Sequence, residues 1–155
     1  MNDGMERRSH ILIVEDNPGD QRLIREAFKE TQRAPGTAVA KDGVEALDYL
    51  YRRGAFTDAK RPDLVLLDLN LPKKGGKEVL AEIKSDPALK NIPVVVFSSS
   101  SAPGDVSSAY ALHANCYVTK PADLGELFDA IAWIEKYWLS TASLPMSRAP
   151  SAAVA

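Results

Sequence analysis

The sequence predicts a single doubly wound α/β domain, in which five parallel strands form a sheet with helices on both faces. Apolar runs at residues 11–14, 64–67 and 94–97 contain no polar residue. Runs of this kind are typical of strands buried on both faces, as in a parallel sheet. Segments with helical spacing of apolar residues separate them. A polar or charged residue follows each run, at the strand end where such sheets bind their ligands.

The first strand, at residues 10–14, is followed by two carboxylates, Glu15 and Asp16. Asn17 suits the N-cap of the next helix and Pro18 its first position, because proline there loses no helical hydrogen bond. This helix is predicted to extend to about Thr31, with a core face of Leu23, Ile24, Ala27 and Phe28.

The second strand, at residues 37–40, has the weakest strand pattern, and a second helix follows it. The predicted core face of this helix is Val44, Leu47, Leu50 and Tyr51. The third strand, at residues 64–67, delivers Asp68 to its carboxyl end. A loop at 73–76 opens the third helix, which ends at Asp86 before a proline. The core face of that helix is Val79, Leu80 and Ile83.

The fourth strand, at residues 93–97, delivers Ser98, and the fifth, at 115–119, delivers Lys120. A helix at residues 103–113 connects them. A closing helix presents Leu124, Leu127, Phe128, Ile131, Ile134 and Trp138 on its core face. We therefore expect one domain at 9–139, with a flexible N-terminus at 1–8 and a disordered Ser/Ala/Pro tail at 140–155.

Composition excludes several classes of partner. With 19 Lys and Arg against 21 Asp and Glu, the formal charge of −2 gives no general attraction to nucleic acid or to an anionic membrane. No apolar run approaches the roughly 18 residues of a transmembrane helix, and the N-terminus has no signal-peptide pattern. The single cysteine, Cys116, cannot form an internal disulfide, which fits a reducing compartment. We expect a cytoplasmic protein.

A flavodoxin-like strand order, 2-1-3-4-5, would bring the polar strand ends together. Glu15, Asp16 and Asp68 would then converge, beside Ser98 and Lys120. Three carboxylates this close repel one another unless a cation lies among them. Oxygen ligands without His or Cys favour a hard ion, and Mg²⁺ is the usual choice where phosphate oxygens share it.

The same residues predict phosphoryl transfer to a carboxylate. Asp68 is the candidate nucleophile, because it is central and alone on its strand end. Lys120 would place a cation near a phosphate oxygen or pair with Asp68, and Ser98 could donate a hydrogen bond to the same group. Taken by itself, Asp68 could equally be a turn residue in a loop near a proline. Glu15 and Asp16, at the end of another buried strand, argue against that alternative.

These motifs resemble the receiver domain of two-component response regulators over residues 9–139. The matching residues are Glu15 and Asp16, Asp68 with Asn70 and Pro72, Ser98, Tyr117, and Lys120 with Pro121. The segments 14–20, 42–47 and 67–74 look like the single-domain regulators paired with phytochrome-type histidine kinases. Gly75 and Ala122 depart from the usual pattern, at positions without phosphoryl chemistry.

The resemblance implies a phosphorylation-activated signalling switch without a fused output domain. Asp68 would accept a phosphoryl group from a sensor histidine kinase of the phytochrome type. The only catalysis would be of its own phosphorylation and dephosphorylation. Mg²⁺ would be held by Glu15 or its bound water, Asp16, Asp68 and the backbone carbonyl of Asn70. Lys120 would bind the phosphoryl group, and its bond to the following proline would be cis.

The resemblance also implies that the rotamer of Tyr117 reports the state of the switch. The alternative is that Tyr117 is a half-buried aromatic residue that only packs on its strand. On the closing helix, Trp133 and Tyr137 lie off the core face at 100° per residue. Aromatic residues are enriched at interfaces, so we expect a homodimer through this helix. The resemblance implies that the adjoining fourth-helix and fifth-strand surface is the output face, and we expect the dimer to include it. The alternative is that both side chains pack under the tail or stand alone in solvent.

Two other functions fit the predicted fold. A flavin-binding protein could use the same crevice, but the carboxylates would repel the cofactor phosphate and no phosphate-binding loop follows the first strand. Aspartate-nucleophile phosphatases have a similar fold, and they resemble one another in a second Asp, the general acid, two positions after the nucleophile. Here that position is Asn70, so the general acid is missing. A colourless protein and absence of turnover on phosphate monoesters would exclude the two.

Overall fold

The computed structural model describes residues 8–145. They form a five-stranded parallel sheet in the order β2-β1-β3-β4-β5, which confirms the predicted fold. The strands are β1 (His10–Val14), β2 (Gly36–Ala40), β3 (Leu64–Leu67), β4 (Val94–Ser98) and β5 (Cys116–Thr119). The helices are α1 (Pro18–Lys29), α2 (Gly43–Tyr51), α3 (Gly76–Ser85), α4 (Pro103–Ala111) and α5 (Leu124–Lys136).

The sheet separates two apolar layers, because neighbouring side chains of a strand point to opposite faces. On β3, Leu64 and Leu66 pack with α1 and α5, while Val65 and Leu67 pack with α2 and α3. All four are buried, as the unbroken apolar run predicted. Burial on both faces leaves the strand ends as the sheet's place for polar side chains.

Three helices begin beside the site edge with the caps that their sequences favour. Asn17 accepts a hydrogen bond from the Asp20 N–H at 3.0 Å and caps α1. Asp42 caps α2 in the same way, and Asp123 caps α5. These caps satisfy N–H groups that have no partner within the helix. They also fix where each helix leaves the sheet edge.

Three residues predicted for core faces are exposed instead. Leu124 is 55% exposed, Val44 45% and Leu23 36%. Val44 and Leu124 lie in the first turns of α2 and α5. Leu23 and Leu124 line a groove of about 290 Å³ between α1 and α5. Helical spacing identifies the side of a helix, but not how far the sheet extends beneath it.

The C-terminal helix extends further than predicted. α5 is followed by a π-helical turn at Tyr137–Thr141, so helical structure continues past the expected domain end at residue 139. Of the predicted flexible ends, residues 1–7 and 146–155 lie outside the described part of the chain. Arg8 is described, and its Nη2 donates to the Ala34 carbonyl at 3.0 Å. The domain limits stay a prediction. None of the helices within residues 8–145 combines the length and the apolar composition of a membrane-spanning helix.

Candidate functional site

Two adjacent strand ends bring three carboxylates together. Val14 of β1 pairs with Leu67 of β3, so the residues that follow them leave the sheet side by side. The ligand oxygens of Glu15, Asp16 and Asp68 lie within 4.8 Å of one another. Glu15 and Asp68 are buried, whereas Asp16 is exposed. The structure thus forms the acidic cluster, with one face open to solvent.

Lys120, which directly follows β5, reaches this cluster. The Nζ of Lys120 lies 2.7 Å from Glu15 Oε1, 3.1 Å from Asp20 Oδ2 and 3.6 Å from Asp68 Oδ2. The backbone N–H of Lys120 donates to the Ser98 carbonyl at 2.7 Å, which fixes the ends of β4 and β5 relative to each other. One cation therefore contacts carboxylates from three separate segments.

Burial and charge act in opposite directions on the pair of Glu15 and Lys120. Burial raises the pKa of Glu15, and the hydrogen bond and charge of Lys120 only partly oppose it. Burial by itself would lower the pKa of Lys120, but the hydrogen bond to Glu15 and the nearby carboxylates outweigh it and raise that pKa. Lys120 is therefore a permanent cation at neutral pH.

Backbone N–H groups orient the two buried carboxylates. Glu15 Oε2 accepts a hydrogen bond from the Asn17 N–H at 3.1 Å. Asp68 Oδ1 accepts one from the Asn70 N–H at 3.3 Å. Both oxygens of Glu15 are thus engaged, one by Asn17 and one by Lys120. Among residues 8–145, Asp68 Oδ2 has only the longer contact with Lys120, at 3.6 Å, which leaves it the more available oxygen.

Ser98 and Tyr117, the two predicted switch residues, both contact Ser100. Ser98 is fully buried, and its hydroxyl oxygen accepts a hydrogen bond from the Ser100 N–H at 3.2 Å. The Tyr117 hydroxyl donates to the Ser100 carbonyl at 2.6 Å. The structure therefore connects the two switch residues through one peptide segment of the loop after β4.

The predicted cis bond between Lys120 and Pro121 is wrong. Residues 8–145 contain no cis peptide bond. The trans form of a bond before proline is favoured by about 0.5–1 kcal/mol, so the tertiary context must select the cis form wherever it occurs. A resemblance in residue type carries no information on that context.

Two residues of the site were not predicted. Asp20 contacts the ammonium group of Lys120, and Gln21 Nε2 donates to the Glu15 carbonyl at 2.7 Å. Both lie in the first turns of α1, which begins directly after the acidic pair. Polar residues on the first turn of a helix that starts at a ligand-binding edge were the signal that could have identified them.

The predicted interface residues form an exposed aromatic stack. Trp133 is 52% exposed and Tyr137 44% exposed. Their rings are parallel to within 4°, with centroids 5.4 Å apart. Trp138 meets Tyr137 edge-on and packs against the core, as predicted for it. The outer side of α5 therefore carries a flat, preformed apolar surface.

Gly76 permits the close approach of α3 to the backbone that carries Asp68. A Cβ at Gly76 would lie 2.3 Å from the Asp68 carbonyl oxygen and 2.5 Å from the Leu69 Cα. We expect Gly76→Ala to lower the free energy of unfolding by about 1–3 kcal/mol, the usual cost of overpacking, because backbone atoms must move. Urea denaturation measures this. Gly104→Ala is the control, since nothing lies within 4 Å of its added Cβ. Equal stability of the two variants would contradict the close approach.

Comparison with known proteins identifies the family. The family model for the response regulator receiver domain matches residues 11–132. The chain belongs to the response regulator receiver family. The receiver domain described here is 47% identical over 135 residues to the response regulator Rcp1 of Synechocystis sp., covering 87% of this chain and 92% of Rcp1. It is 41% identical to FilR2, a probable methanogenesis regulatory protein of Methanothrix harundinacea, over 83% of each chain.

Solved structures agree with the fold of this receiver domain. A phosphorylated cyanobacterial phytochrome response regulator, RcpA, has a TM-score of 0.87 at 53% identity, covering 90% of this chain and 100% of RcpA. The Mn²⁺-bound form of Rcp1 has a TM-score of 0.84 at 46% identity, covering 89% of this chain and 99% of Rcp1. The predicted similarity to phytochrome response regulators is therefore confirmed, and the domain is a signalling module.

Proposed function

We propose that this receiver domain accepts a phosphoryl group on Asp68 from the phosphohistidine of a sensor histidine kinase. One observation carries the proposal: three carboxylates converge within 4.8 Å, and the Nζ of Lys120 lies 3.6 Å from Asp68 Oδ2. Phosphoryl transfer depends mainly on positioning and charge neutralisation, and this arrangement supplies both. The similarity to a phosphorylated regulator supports it further.

The hydrogen bonds favour Asp68 over Glu15 as the acceptor. Both oxygens of Glu15 are already bound, whereas Asp68 Oδ2 is the less engaged atom. Oδ2 attacks phosphorus as the bond from phosphorus to the histidine nitrogen breaks. The imidazole keeps the electron pair and, protonated on its other nitrogen, leaves as neutral imidazole. An acyl phosphate remains on Asp68, and Lys120 is placed to stabilise its added charge.

Dephosphorylation uses the same groups. Water attacks phosphorus, the bond to Asp68 breaks, and a proton of the water passes to the released inorganic phosphate. Lys120 again stabilises the phosphoryl oxygens during the exchange. We propose no other catalytic activity for this domain.

The acidic cluster fits a hard divalent cation. Its donors are all oxygens, Asp16 faces solvent, and Lys120 neutralises only part of the negative charge. We propose that Asp16, Asp68, Glu15 and the Asn70 backbone hold Mg²⁺, as the Mn²⁺-bound form of the similar Rcp1 suggests. When bound, Mg²⁺ would neutralise charge between carboxylate and phosphoryl oxygens.

Phosphate uptake from a small phosphodonor tests the function. With acetyl phosphate and Mg²⁺, we expect acid-stable, base-labile phosphate on the peptide that contains Asp68. A folded protein that takes up no phosphate, or takes it up at another residue, would refute the proposal. The same sample distinguishes the alternatives, because a bound flavin would colour it and a phosphatase would turn over phosphate monoesters continuously.

Asp16→Asn tests the metal site. We expect Mg²⁺ affinity to fall by about tenfold or more, equal to at least about 1.4 kcal/mol, because a charged ligand is lost. Without metal, the variant should be at least as stable as the wild type, since repulsion within the cluster is relieved. Calorimetric Mg²⁺ titration measures the affinity, and Asp129→Asn on the exposed side of α5 is the control. Unchanged affinity would exclude Asp16 as a ligand.

We propose a phytochrome-type histidine kinase as the phosphodonor, because Rcp1-like and RcpA-like regulators are similar over most of the chain. Rapid transfer from a phosphorylated kinase of this type supports the link, whereas transfer no faster than from an unrelated histidine kinase would refute it. Because histidine kinases are phosphorylated from ATP, we also place the protein in the cytoplasm.

We further propose a homodimer through the aromatic stack of Trp133 and Tyr137. Two copies could bury these flat surfaces against each other around a two-fold axis. We expect light scattering to show a wild-type dimer at micromolar concentration and a monomer for Trp133→Ala/Tyr137→Ala. Val44→Ala is the control, because it truncates an exposed apolar side chain on another helix. A wild-type monomer, with or without phosphate, would refute the dimer, and a dimeric double variant would refute this surface.

A further inference from the structure

Ser100 uses each of its polar groups to contact a different part of the fold. Its N–H donates to the Ser98 hydroxyl oxygen at 3.2 Å, and its carbonyl accepts from the Tyr117 hydroxyl at 2.6 Å. Its own hydroxyl donates to Asp105 Oδ2 on α4 at 2.6 Å. The hydroxyl oxygen also accepts from the Ala102 N–H at 3.3 Å. A shift of this residue therefore changes β4, β5 and α4 contacts together.

Asp105 also connects this loop to α3. Its other oxygen, Oδ1, accepts from the Nζ of Lys77 on α3 at 2.9 Å. Both contacts of Asp105 are charge-assisted, and such hydrogen bonds are stronger than neutral ones. They hold the pKa of Asp105 below its ordinary value, with the bond from Ser100 contributing most and Lys77 next. Asp105 is therefore an anion at neutral pH, and its charge fixes the orientation of the Ser100 hydroxyl.

We propose that Asp105, held by Lys77, is a positioning residue that anchors Ser100 and so couples Ser98 to Tyr117. The inference rests on the proposed function of Asp68. When Ser98 turns toward a phosphoryl group, its contact with the Ser100 N–H must change. An anchored Ser100 passes this change to Tyr117 through its carbonyl. Without the anchor, Ser100 moves within the loop when its contact with Ser98 changes, and the position of Tyr117 stays the same.

Fluorine NMR of 3-fluorotyrosine protein tests the coupling, with the Tyr117 signal assigned by its loss in Tyr117→Phe. We expect acetyl phosphate to shift this signal in the wild type. In Asp105→Ala and in Ser100→Ala, the shift should fall below half of the wild-type value, while the rate of phosphate uptake stays within about twofold, since the groups around Asp68 are intact. A full wild-type shift in phosphorylated Asp105→Ala would overturn the proposal.

The double variant Ser100→Ala/Asp105→Ala shows whether Asp105 acts through Ser100. If it does, the double variant matches Ser100→Ala alone, because the two changes remove the same bond. Additive effects on the Tyr117 signal would overturn the proposed route. Lys74→Met is the charge control, since it removes a similar ion pair, 3.0 Å to Glu82, that does not involve the loop. If Lys74→Met reduces the Tyr117 shift as much as Lys77→Met does, the anchor is not specific.

Failure of the proposed function gives a different result. In that case the wild type takes up no phosphate on Asp68, whatever happens at Ser100. The anchor is still tested without phosphate, because loss of the Asp105 contact should displace the Tyr117 signal of the unphosphorylated protein. An unphosphorylated Asp105→Ala signal identical to the wild type would overturn the anchor by itself.

Discussion

Asp68→Asn should take up no detectable phosphate from acetyl phosphate or from a kinase, while keeping the wild-type fold. The amide oxygen can still accept the hydrogen bond from the Asn70 N–H, which the carboxylate accepts at 3.3 Å. The amide is, however, a poor nucleophile and a weak metal ligand. Loss of one negative charge near Glu15 and Asp16 relieves repulsion, so we expect undiminished stability without metal.

Asp42→Asn is the matched control for this experiment. Asp42 is also a buried aspartate, 4% exposed, and it caps α2 after β2. Asparagine caps helices nearly as well as aspartate, so the fold should be kept. We expect wild-type phosphate uptake for Asp42→Asn, measured by intact-protein mass spectrometry. Uptake by Asp68→Asn at the wild-type level would exclude Asp68 as the acceptor.

Lys120→Met should strongly destabilise the metal-free protein. Lys120 is the cation that pairs with Glu15, whose side chain is only 3% exposed. Breaking a buried ion pair by removing one partner costs about 3–5 kcal/mol, because the remaining charge stays buried without compensation. We therefore expect a loss of about 3 kcal/mol in urea denaturation with a chelator present, and partial recovery with Mg²⁺.

The pH dependence of this loss has a defined sign. Burial already raises the pKa of Glu15, and removal of Lys120 takes away the main influence that lowers it. A raised pKa in the folded state means that folding takes up a proton between the two pKa values, so stability falls as pH rises through this window. The deficit of Lys120→Met relative to the wild type should therefore shrink as the pH is lowered from about 7 to about 5.

Glu15→Gln/Lys120→Met distinguishes this explanation from simple loss of packing. The neutral amide can remain buried without a cation, so the double variant should recover most of the lost stability and show no such pH dependence. If the double variant is as unstable as Lys120→Met at every pH, the buried charge of Glu15 is not the cause.

Much of the acidic cluster could be predicted from the chain alone. The unbroken apolar runs before Glu15 and Asp68 indicate strands buried on both faces, and parallel strands place their carboxyl ends at one edge. The capping residue Asn17 was equally clear, because capping depends on residues adjacent in the chain. The helix cap has a local cause. The acidic cluster follows from a strand order for which few alternatives exist.

Other features depend on distances that no local pattern contains. Asp105 and Lys77 are far apart in the sequence, and so are Asp20 and Lys120. Their pairing therefore depends on how α1, α3 and α4 pack on the sheet and where β5 ends. The predictions that Leu124 is buried and that the bond after Lys120 is cis were wrong for the same reason.

The sheet, the order of its strands and the polar residues at the strand ends could thus be predicted from the amino-acid sequence. The apolar runs of β1, β3 and β4 are enough for the central strands, because these strands are buried on both faces. The strand order follows from the small number of orders that such sheets adopt. Three features became visible in the folded structure alone: the oxygen of Asp68 that faces Lys120, the close approach of Gly76 to the Asp68 backbone, and the contacts of Ser100 with both Ser98 and Tyr117. Hydrogen bonds require donor and acceptor to approach within about 3 Å, and that accuracy comes from the packing of whole helices and strands.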